Sequence, residues 1–273
     1  MVKKMKYGIL RPSKGFTLVE LLVVISIIAL LLSILMPALG RARNQARSVV
    51  CSAALRSWGQ IFMMYTNDNK GSFGNEYFGN DDPARNQQMS LWMKTLRPYY
   101  PPEKGYCCAA ATKPMCEIGE TWDWSKQTAT SAWGRLTGGY WAAGTDSVYG
   151  SFGVNEWIYD NKNITGWAGN FWRRADAKGA SGARVPIMLD ALWPNAWPQD
   201  IDKPAFVENT WEEGSTNNMK RFCVNRHNGA VNAVFMDTSV GKVKLKELWG
   251  LKWHRKFNTN RRPTSWPKWM NKF

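Results

Sequence analysis

The longest apolar pattern in the chain lies close to its amino terminus. Positions 16–36 read FTLVELLVVISIIALLLSILM, and as an α-helix this run would span roughly 31 Å, close to the ~30 Å hydrocarbon core of a bilayer. After Pro37, apolar residues recur at steps of three and four as far as Tyr65, with polar residues on the other side. The pattern predicts one long helix from about Leu18 to Tyr65 whose first half lies in a membrane.

The predicted helix contains one proline and ends at a polar segment. Pro37 removes a helix hydrogen bond and clashes with the preceding turn, so we expect a kink at this position. Residues 67–71 read NDNKG, which combines poor helix formers with a glycine able to adopt positive φ. The helix is therefore expected to end before Gly71.

Beyond the helix, the pattern changes to short apolar runs separated by Gly, Asn, Trp and Pro. This alternation is typical of strands and ordered loops. We expect strands at Val148–Ile158 and Val185–Leu192, and Pro186 places the second at a sheet edge or a strand start. Two more strands are expected around a tight turn at positions 237 and 238. Short helices are expected at Ser90–Leu96 and Leu245–Leu251.

Positive charge on the amino-terminal side of the apolar run predicts the orientation of this segment in the membrane. The chain has a formal net charge of +15. Five basic residues and no acid lie within positions 1–15, so the positive-inside rule places this segment in the cytoplasm and everything after Pro37 across the membrane. The apolar run is too long for a cleaved secretory signal, and the residues after it lack an A-x-A-like site.

Residues 14–20, KGFTLVE, resemble the processing site of type IV prepilins and type II secretion pseudopilins. The resemblance implies that a prepilin peptidase cuts after Gly15 and methylates the new amino terminus at Phe16. It also implies that the carboxylate of Glu20 neutralises the terminal amine of a neighbouring subunit in a filament. An unpaired carboxylate at the centre of a membrane helix costs about 2.5–3.5 kcal/mol, which such a pair would offset. The alternative is that Glu20 reaches the lipid headgroups.

The same resemblance implies an α+β, pilin-like fold, in which a long helix packs on an antiparallel sheet. Four segments are expected: a cleaved leader at 1–15, a transmembrane and filament-core helix at 16–39, a periplasmic half of the helix at 40–70, and a β-rich globular head at 71–273. The protein would be a single-pass inner-membrane protein with a cytoplasmic amino terminus. Its expected partners are other pseudopilin subunits, the prepilin peptidase, the inner-membrane assembly platform and the lipid membrane.

His227 and Asp237, with nine residues between them, are similar to the carboxyl-terminal signature of a large group of pseudopilin-like proteins abundant in planctomycetes. In that group the Asp is usually followed by Gly, whereas this chain has Thr238, a residue that disfavours positive φ. Two histidines in the whole chain are too few to suggest a zinc or catalytic centre. We expect the imidazole and the carboxylate to satisfy turn backbone groups or each other. Calcium bound near Asp237 is the alternative.

The five cysteines suggest an oxidising compartment without fixing a pairing. Cys51 lies on the predicted helix, and Cys107, Cys108 and Cys116 lie in one loop. A loop bridge ending at Cys116, or a bridge from Cys51 to Cys107 or Cys108, ranks above a metal site because no paired C-x2-C motif is present.

Nine of the sixteen tryptophans fall between Trp122 and Trp197. We expect these rings to fill a core and pin loops. The alternative is a platform that stacks on polysaccharide, which would make the protein a membrane-anchored or filament-displayed adhesin. Cleavage of the leader lowers the net charge to +10, and the remaining basic tail lies outside the cytoplasm, so no nucleic-acid partner is expected. The main hypothesis is a non-enzymatic subunit of a type II secretion or type IV pilus-like filament.

Overall fold

The computed structural model describes residues 16–74, 92–101, 107–111, 113–116, 127–135, 148–159, 166–179, 184–209 and 217–273. The chain forms two compact units, Met1–Arg43 and Asn44–Phe273. The first element, α1, is a 51-residue helix at Leu18–Asp68, which confirms the long helix. Within the described part of the chain, α1 is the one helix long and apolar enough to span a membrane, and its most apolar stretch is fully exposed. The sequence pattern thus gave the start of this helix and placed its end three residues too early.

The end of α1 follows the backbone chemistry of its last residues. Lys70 and Gly71 both have positive φ, at 55° and 82°, and the Gly71 amide donates to the Thr66 carbonyl at 2.7 Å. This left-handed geometry satisfies helix carbonyls that would otherwise lack partners. The expected stop before Gly71 is confirmed.

In the second unit, one face of α1 is part of the hydrophobic core. Its buried positions recur at three- and four-residue steps because one face of a helix has that period. Gly59 allows a close approach, since a Cβ built there would lie 2.6 Å from Val234 Cγ2. The buried residues of α1 are Cys51, Leu55, Trp58, Gly59, Ile61, Phe62 and Thr66.

Two sheets make up the β structure of the described residues. The larger has the strand order β6-β4-β5-β7-β8, and the smaller has the order β1-β2-β3. The pairs β1–β2 and β4–β6 are parallel, and the other neighbours are antiparallel. The mixture of one long helix with largely antiparallel sheets is the α+β, pilin-like fold expected from the sequence. The strands are β1 Lys113–Cys116, β2 Ser131–Arg135, β3 Val148–Gly150, β4 Phe152–Asn155, β5 Pro186–Asp190, β6 Asn195–Ala196, β7 Ala230–Phe235 and β8 Val240–Lys244.

The expected strand at Val148–Ile158 is divided between the two sheets. β3 and β4 are separated by Ser151, and a 3₁₀ turn replaces the last three residues, Glu156–Ile158. Ser151 Oγ accepts a hydrogen bond from the Cys108 amide at 2.7 Å. The break therefore brings the loop that carries Cys108 against the sheet.

Pro186 begins β5, as one of the two alternatives predicted, but β5 is not an edge strand. It lies between β4 and β7. The register shifts between Pro186 and Met188 where β5 pairs with β7. A proline is tolerated here because the irregular first position of the strand requires no ladder donor.

The carboxyl-terminal hairpin is confirmed, with β7 and β8 joined at the expected turn. Thr238 has φ 67°, the left-handed conformation that the Gly of the resembling group would adopt without cost.

The expected short helices are present in modified form. α2 is Trp92–Thr95, a 3₁₀ turn at Arg97–Tyr99 contains Pro98, and Leu245–Gly250 is a 3₁₀ helix.

Candidate functional site

Of the predicted processing site, the structure describes Phe16, which lies two residues before the start of α1. Gly15 lies outside the described residues. Phe16 follows it with 69% of its surface exposed. The predicted cleavage after Gly15 and methylation of Phe16 stay predictions, as does a kink at Pro37, which the structure places inside α1.

Thr17 and Glu20 form a reciprocal cap at the start of α1. Glu20 Oε2 accepts from the Thr17 amide at 2.8 Å and from the Thr17 hydroxyl at 2.7 Å. Thr17 Oγ1 in turn accepts from the Glu20 amide at 3.2 Å. This is the capping box that a Thr followed three residues later by Glu can form. The sequence TLVE contains this signal, which was not among the predictions from the sequence.

The cap uses one of the two carboxylate oxygens of Glu20. Both bonds from Thr17 go to Oε2, and Oε1 accepts none from the part of the chain that the structure describes. Glu20 can therefore accept a hydrogen bond from a cation of another chain without breaking its own helix cap.

The two residues of the carboxyl-terminal signature occupy separate sites. Asp237 Oδ1 accepts from the Ser239 amide at 3.0 Å and from the Ser239 hydroxyl at 2.6 Å, so this carboxylate binds donors of its own turn. His227 does not pair with Asp237. Its Nε2 lies 3.1 Å from Asp190 Oδ2 and 3.3 Å from Cys108 Sγ. Of the two expected arrangements, the structure does not show a contact between His227 and Asp237, because the ring of His227 is buried against Asp190 at the end of β5 and against Cys108. Calcium near Asp237 remains a prediction.

His227 belongs to a buried group of four side chains, which we call the Cys51 cluster: Cys51, Cys108, Asp190 and His227. Their nitrogen, oxygen and sulfur atoms all lie within 4.8 Å of one another. Cys51 Sγ lies 3.4 Å from Asp190 Oδ1 and 3.6 Å from Oδ2. α1 contributes Cys51, the loop before β1 contributes Cys108, the end of β5 contributes Asp190, and the turn before β7 contributes His227.

A buried arginine lies directly behind the cluster. Arg226 Nη1 donates to Asp190 Oδ1 at 3.3 Å, and both side chains are 0% exposed. The remaining donors of the guanidinium bind main-chain carbonyls at distances between 2.6 and 3.1 Å. A buried charge is tolerated when it is paired and fully hydrogen-bonded. Arg226 is therefore a fixed positive charge beside Asp190. The carbonyls belong to Ala129, Ser131, Ser151 and Ala191.

The electrostatics of the cluster follow from this packing. Burial opposes ionisation of Asp190, but the hydrogen bond from His227 and the charge of Arg226 hold its pKa below the ordinary value. Burial also opposes the charged form of His227, yet hydrogen bonds with Asp190 and Cys108 raise its pKa to about 9.

The pKa values of the two thiols, Cys51 and Cys108, shift in opposite directions. A hydrogen bond from the Cys51 thiol lowers the pKa of Cys108 to about 7, against the effect of burial. Burial and the bond with Cys108 raise the pKa of Cys51. Cys108 is thus the more easily ionised thiol of the pair.

The structure describes the side chains of four of the five cysteines. Cys51, Cys107, Cys108 and Cys223 are free thiols, and the side chain of Cys116 lies outside the described residues. Of the two predicted partners of Cys51, Cys108 is the one in the same cluster. Both predicted bridges stay predictions.

Asp190 and Arg226 were not predicted as site residues from the sequence. Asp190 ends the apolar run VPIMLD, and a lone acid at the end of a buried strand is a signal that could have found it. Arg226 directly precedes His227, so a second buried polar residue stands next to the signature.

Among the described residues, most tryptophan rings belong to the core. Twelve of the sixteen are described, and seven of these are buried. Trp167, at 44% exposure, stacks on Trp157 with centroids 5.3 Å apart, but Trp157 is fully buried. The described residues therefore show ring packing rather than a pair of exposed parallel rings. The buried rings are Trp58, Trp92, Trp133, Trp157, Trp172, Trp249 and Trp253.

The amino-terminal segment is similar to a known family of proteins. The family model for the prokaryotic N-terminal methylation motif matches residues 10–36. The type IV wide pilus major component PilA4 of Thermus thermophilus is 43% identical to this chain over 67 residues. That alignment covers 24% of this chain and 51% of PilA4, so the chain spans about half the length of the curated relative it matches. No solved structure matches the chain significantly.

Proposed function

We propose that this chain, which is type IV prepilin-like through its amino-terminal methylation motif, is a subunit of a type II secretion or type IV pilus-like filament. Similarity to a type IV pilus component supports this function, as does an exposed apolar helix suited to a single membrane anchor. The other subunits and a prepilin peptidase are its partners. The amino terminus lies in the cytoplasm and the head on the far side of the inner membrane.

The unused oxygen of Glu20 carries the proposal. In the described residues, Oε2 caps the helix and Oε1 accepts no hydrogen bond. After cleavage at Gly15, a neighbouring subunit presents a positively charged amine at its Phe16. Two charges that are each unfavourable in hydrocarbon become tolerable when they meet as a pair. Glu20 can form this pair while retaining its own cap.

Processing is tested by mass spectrometry of the protein extracted from membranes. We expect the mature chain to begin with N-methylated Phe16. A protein whose terminus is still Met1, or lies beyond Pro37, would contradict the proposed function.

Assembly is tested with Glu20→Val and Glu20→Gln, measured by crosslinking in membranes. Both variants should insert in the membrane, because each removes a charge from the apolar segment. Both should lose crosslinked multimers, since neither Val nor Gln carries the negative charge that pairs with the amine of a neighbouring subunit. Multimers at the wild-type level in both variants would show that Glu20 only reaches the headgroups. Thr17→Ala is the matched control, because it weakens the cap and leaves the Glu20 charge in place.

A further inference from the structure

Four side chains of metal-binding type meet at one buried point in the second unit of the chain. They come from positions separated by up to 176 residues along the sequence, Cys51 and His227 being the ends of that range. We propose that the Cys51 cluster is a structural zinc site, with Cys51 Sγ, Cys108 Sγ, Asp190 Oδ2 and His227 Nε2 as ligands. The proposal is independent of filament assembly.

Three of the six distances between the ligand atoms are close to the edges of a tetrahedral site, and all six are at most 4.8 Å. Zinc binds sulfur at about 2.3 Å and nitrogen or oxygen at about 2.0–2.2 Å, so the edges of the tetrahedron are about 3.3–3.8 Å long. The pair His227 Nε2 and Asp190 Oδ2 is 3.1 Å apart, and the pair Cys108 Sγ and His227 Nε2 is 3.3 Å apart. Cys51 Sγ lies 3.6 Å from Asp190 Oδ2. Small shifts of these side chains would complete the coordination.

Groups around the ligands hold them as the outer shell of a metal site does. The Ala110 amide donates to Cys108 Sγ at 3.4 Å, an arrangement that stabilises a thiolate. The main-chain amide of Asn232 donates to Asp190 Oδ2 at 2.8 Å, and Arg226 donates to the other carboxylate oxygen, Oδ1. Outer contacts of this kind orient ligands and raise metal affinity.

The charges of the occupied site would balance without help from solvent. Two thiolates and one carboxylate carry three negative charges, and a Zn²⁺ ion together with Arg226 carries three positive charges. Such a balance matters because a buried net charge is strongly unfavourable. Four protein ligands and complete burial leave no open coordination position, which is typical of a structural rather than a catalytic zinc site.

A disulfide between Cys51 and Cys108 is the competing use of the two sulfurs. A disulfide requires neither a carboxylate nor an imidazole. Asp190 and His227 nevertheless converge on the same point as the sulfurs. The complete set of two sulfurs, one nitrogen and one oxygen therefore favours metal.

The test uses the full chain, purified in detergent under reducing conditions, treated with zinc chloride alone and then desalted. We expect elemental analysis to find about one zinc ion per chain. Replacement by cobalt should give the visible absorption of tetrahedral Co²⁺ and a sulfur-to-metal charge-transfer band. The cobalt spectrum reports directly on thiolate ligation in the unmodified protein, so it does not depend on a variant that folds.

Ligand variants locate the ion. Cys51→Ser and Cys108→Ser should each lower zinc affinity by at least about tenfold and remove part of the charge-transfer band. Cys107→Ser is the matched control, because it changes the neighbouring thiol, whose sulfur is 3.9 Å from the Tyr149 carbonyl and outside the cluster. Circular dichroism and tryptophan fluorescence verify that each variant is folded.

Three results would overturn the proposal. One is a reduced wild-type chain that retains less than about one tenth of an equivalent of zinc. Another is zinc or cobalt bound equally well by the control and by both ligand variants. The third is a Cys51–Cys108 disulfide found by non-reducing peptide mapping of protein taken directly from its membrane.

Discussion

The two histidines of the chain occupy opposite electrostatic environments. His227 faces a carboxylate and a thiol, and these partners raise its pKa to about 9 despite burial. His254 lies among aromatic rings, 4.8 Å from the centroid of Trp157 and 5.3 Å from that of Phe257. Burial there lowers the pKa of His254 to about 4. The partners of each imidazole, rather than its residue type, determine its charge at neutral pH.

His254 should make the stability of the head depend on pH. Its pKa in the folded chain, about 4, lies below its ordinary value of 6.5. A base whose pKa is lowered by folding contributes stability that is fully present above its unfolded pKa and is lost as the pH falls toward its folded pKa. We therefore expect the melting temperature to fall between about pH 6.5 and pH 4.

The comparison of wild type with His254→Phe isolates this contribution. Asp200 favours the charged imidazole, whereas Lys252 and Lys256 disfavour it, and all three remain in the variant. The phenyl ring cannot titrate, so the variant should lose less melting temperature over the same pH interval. Equal losses in the two proteins would show that His254 is not the group responsible.

At the scale of elements, the contact between α1 and β7 depends on a missing side chain. Gly59 lies on the buried face of α1, opposite the stiff, β-branched side chain of Val234. In an exposed helix, replacing Gly by Ala stabilises by roughly 0.5–1 kcal/mol. At Gly59 the added methyl would meet a buried side chain that has little freedom to move.

Gly59→Ala should lower the free energy of unfolding of the head by about 1–3 kcal/mol, the usual cost of overpacking a core. Gly40→Ala is the matched control in the same helix, because a Cβ added there has nothing within 4 Å. Chemical denaturation followed by tryptophan fluorescence measures both. A Gly59→Ala variant at least as stable as the control would mean that α1 and β7 can move apart without cost.

The elements that the sequence predicted correctly are those whose signals are local. The apolar run and its three- and four-residue period identified α1, and the alternation around positions 237 and 238 identified β7 and β8. The position of β5 within its sheet could not be predicted, because strand order depends on contacts between distant segments. Pro186 suggested an edge strand because a proline lacks a ladder donor. The register shift that lets it begin an interior strand forms only when β5 pairs with β7.

The same reasoning explains which site residues were found. Phe16 and Glu20 stand in one short motif, so they could be identified together. The four residues of the Cys51 cluster come from four separate parts of the chain. Its two cysteines are too far apart in the sequence to form a recognisable metal-binding motif. Its members were visible one at a time, but only the fold brings them together.

At the scale of the whole molecule, the boundary between the two compact units falls inside α1. Residues from Asn44 onward include every buried position of the helix, the first being Cys51. A fragment of residues 44–273 therefore retains the complete core, while it lacks the exposed apolar stretch.

We expect the 44–273 fragment to be soluble without detergent and to unfold in one cooperative transition. A fragment of residues 59–273 is the matched comparison, because it loses Cys51, Leu55 and Trp58 from the core. It should aggregate or lack a cooperative transition, since the loss of three buried side chains removes several kcal/mol of about 5–15 available to a domain. Gel filtration and thermal unfolding measure the difference. Equal behaviour of the two fragments would show that the helix is not an integral part of the core.

The position of Cys51 as the first buried residue of α1 has a mechanical consequence. Ser48, one turn earlier, accepts a hydrogen bond from Asn232 Nδ2 of β7 through its main-chain carbonyl at 3.2 Å. A tensile load carried along the helix would thus enter the head at Ser48 and Cys51 and be transferred to β5 and β7, two of the interior strands of the larger sheet. These strands are paired on both sides, so the load would be shared across the sheet in shear rather than concentrated on an edge that could peel away.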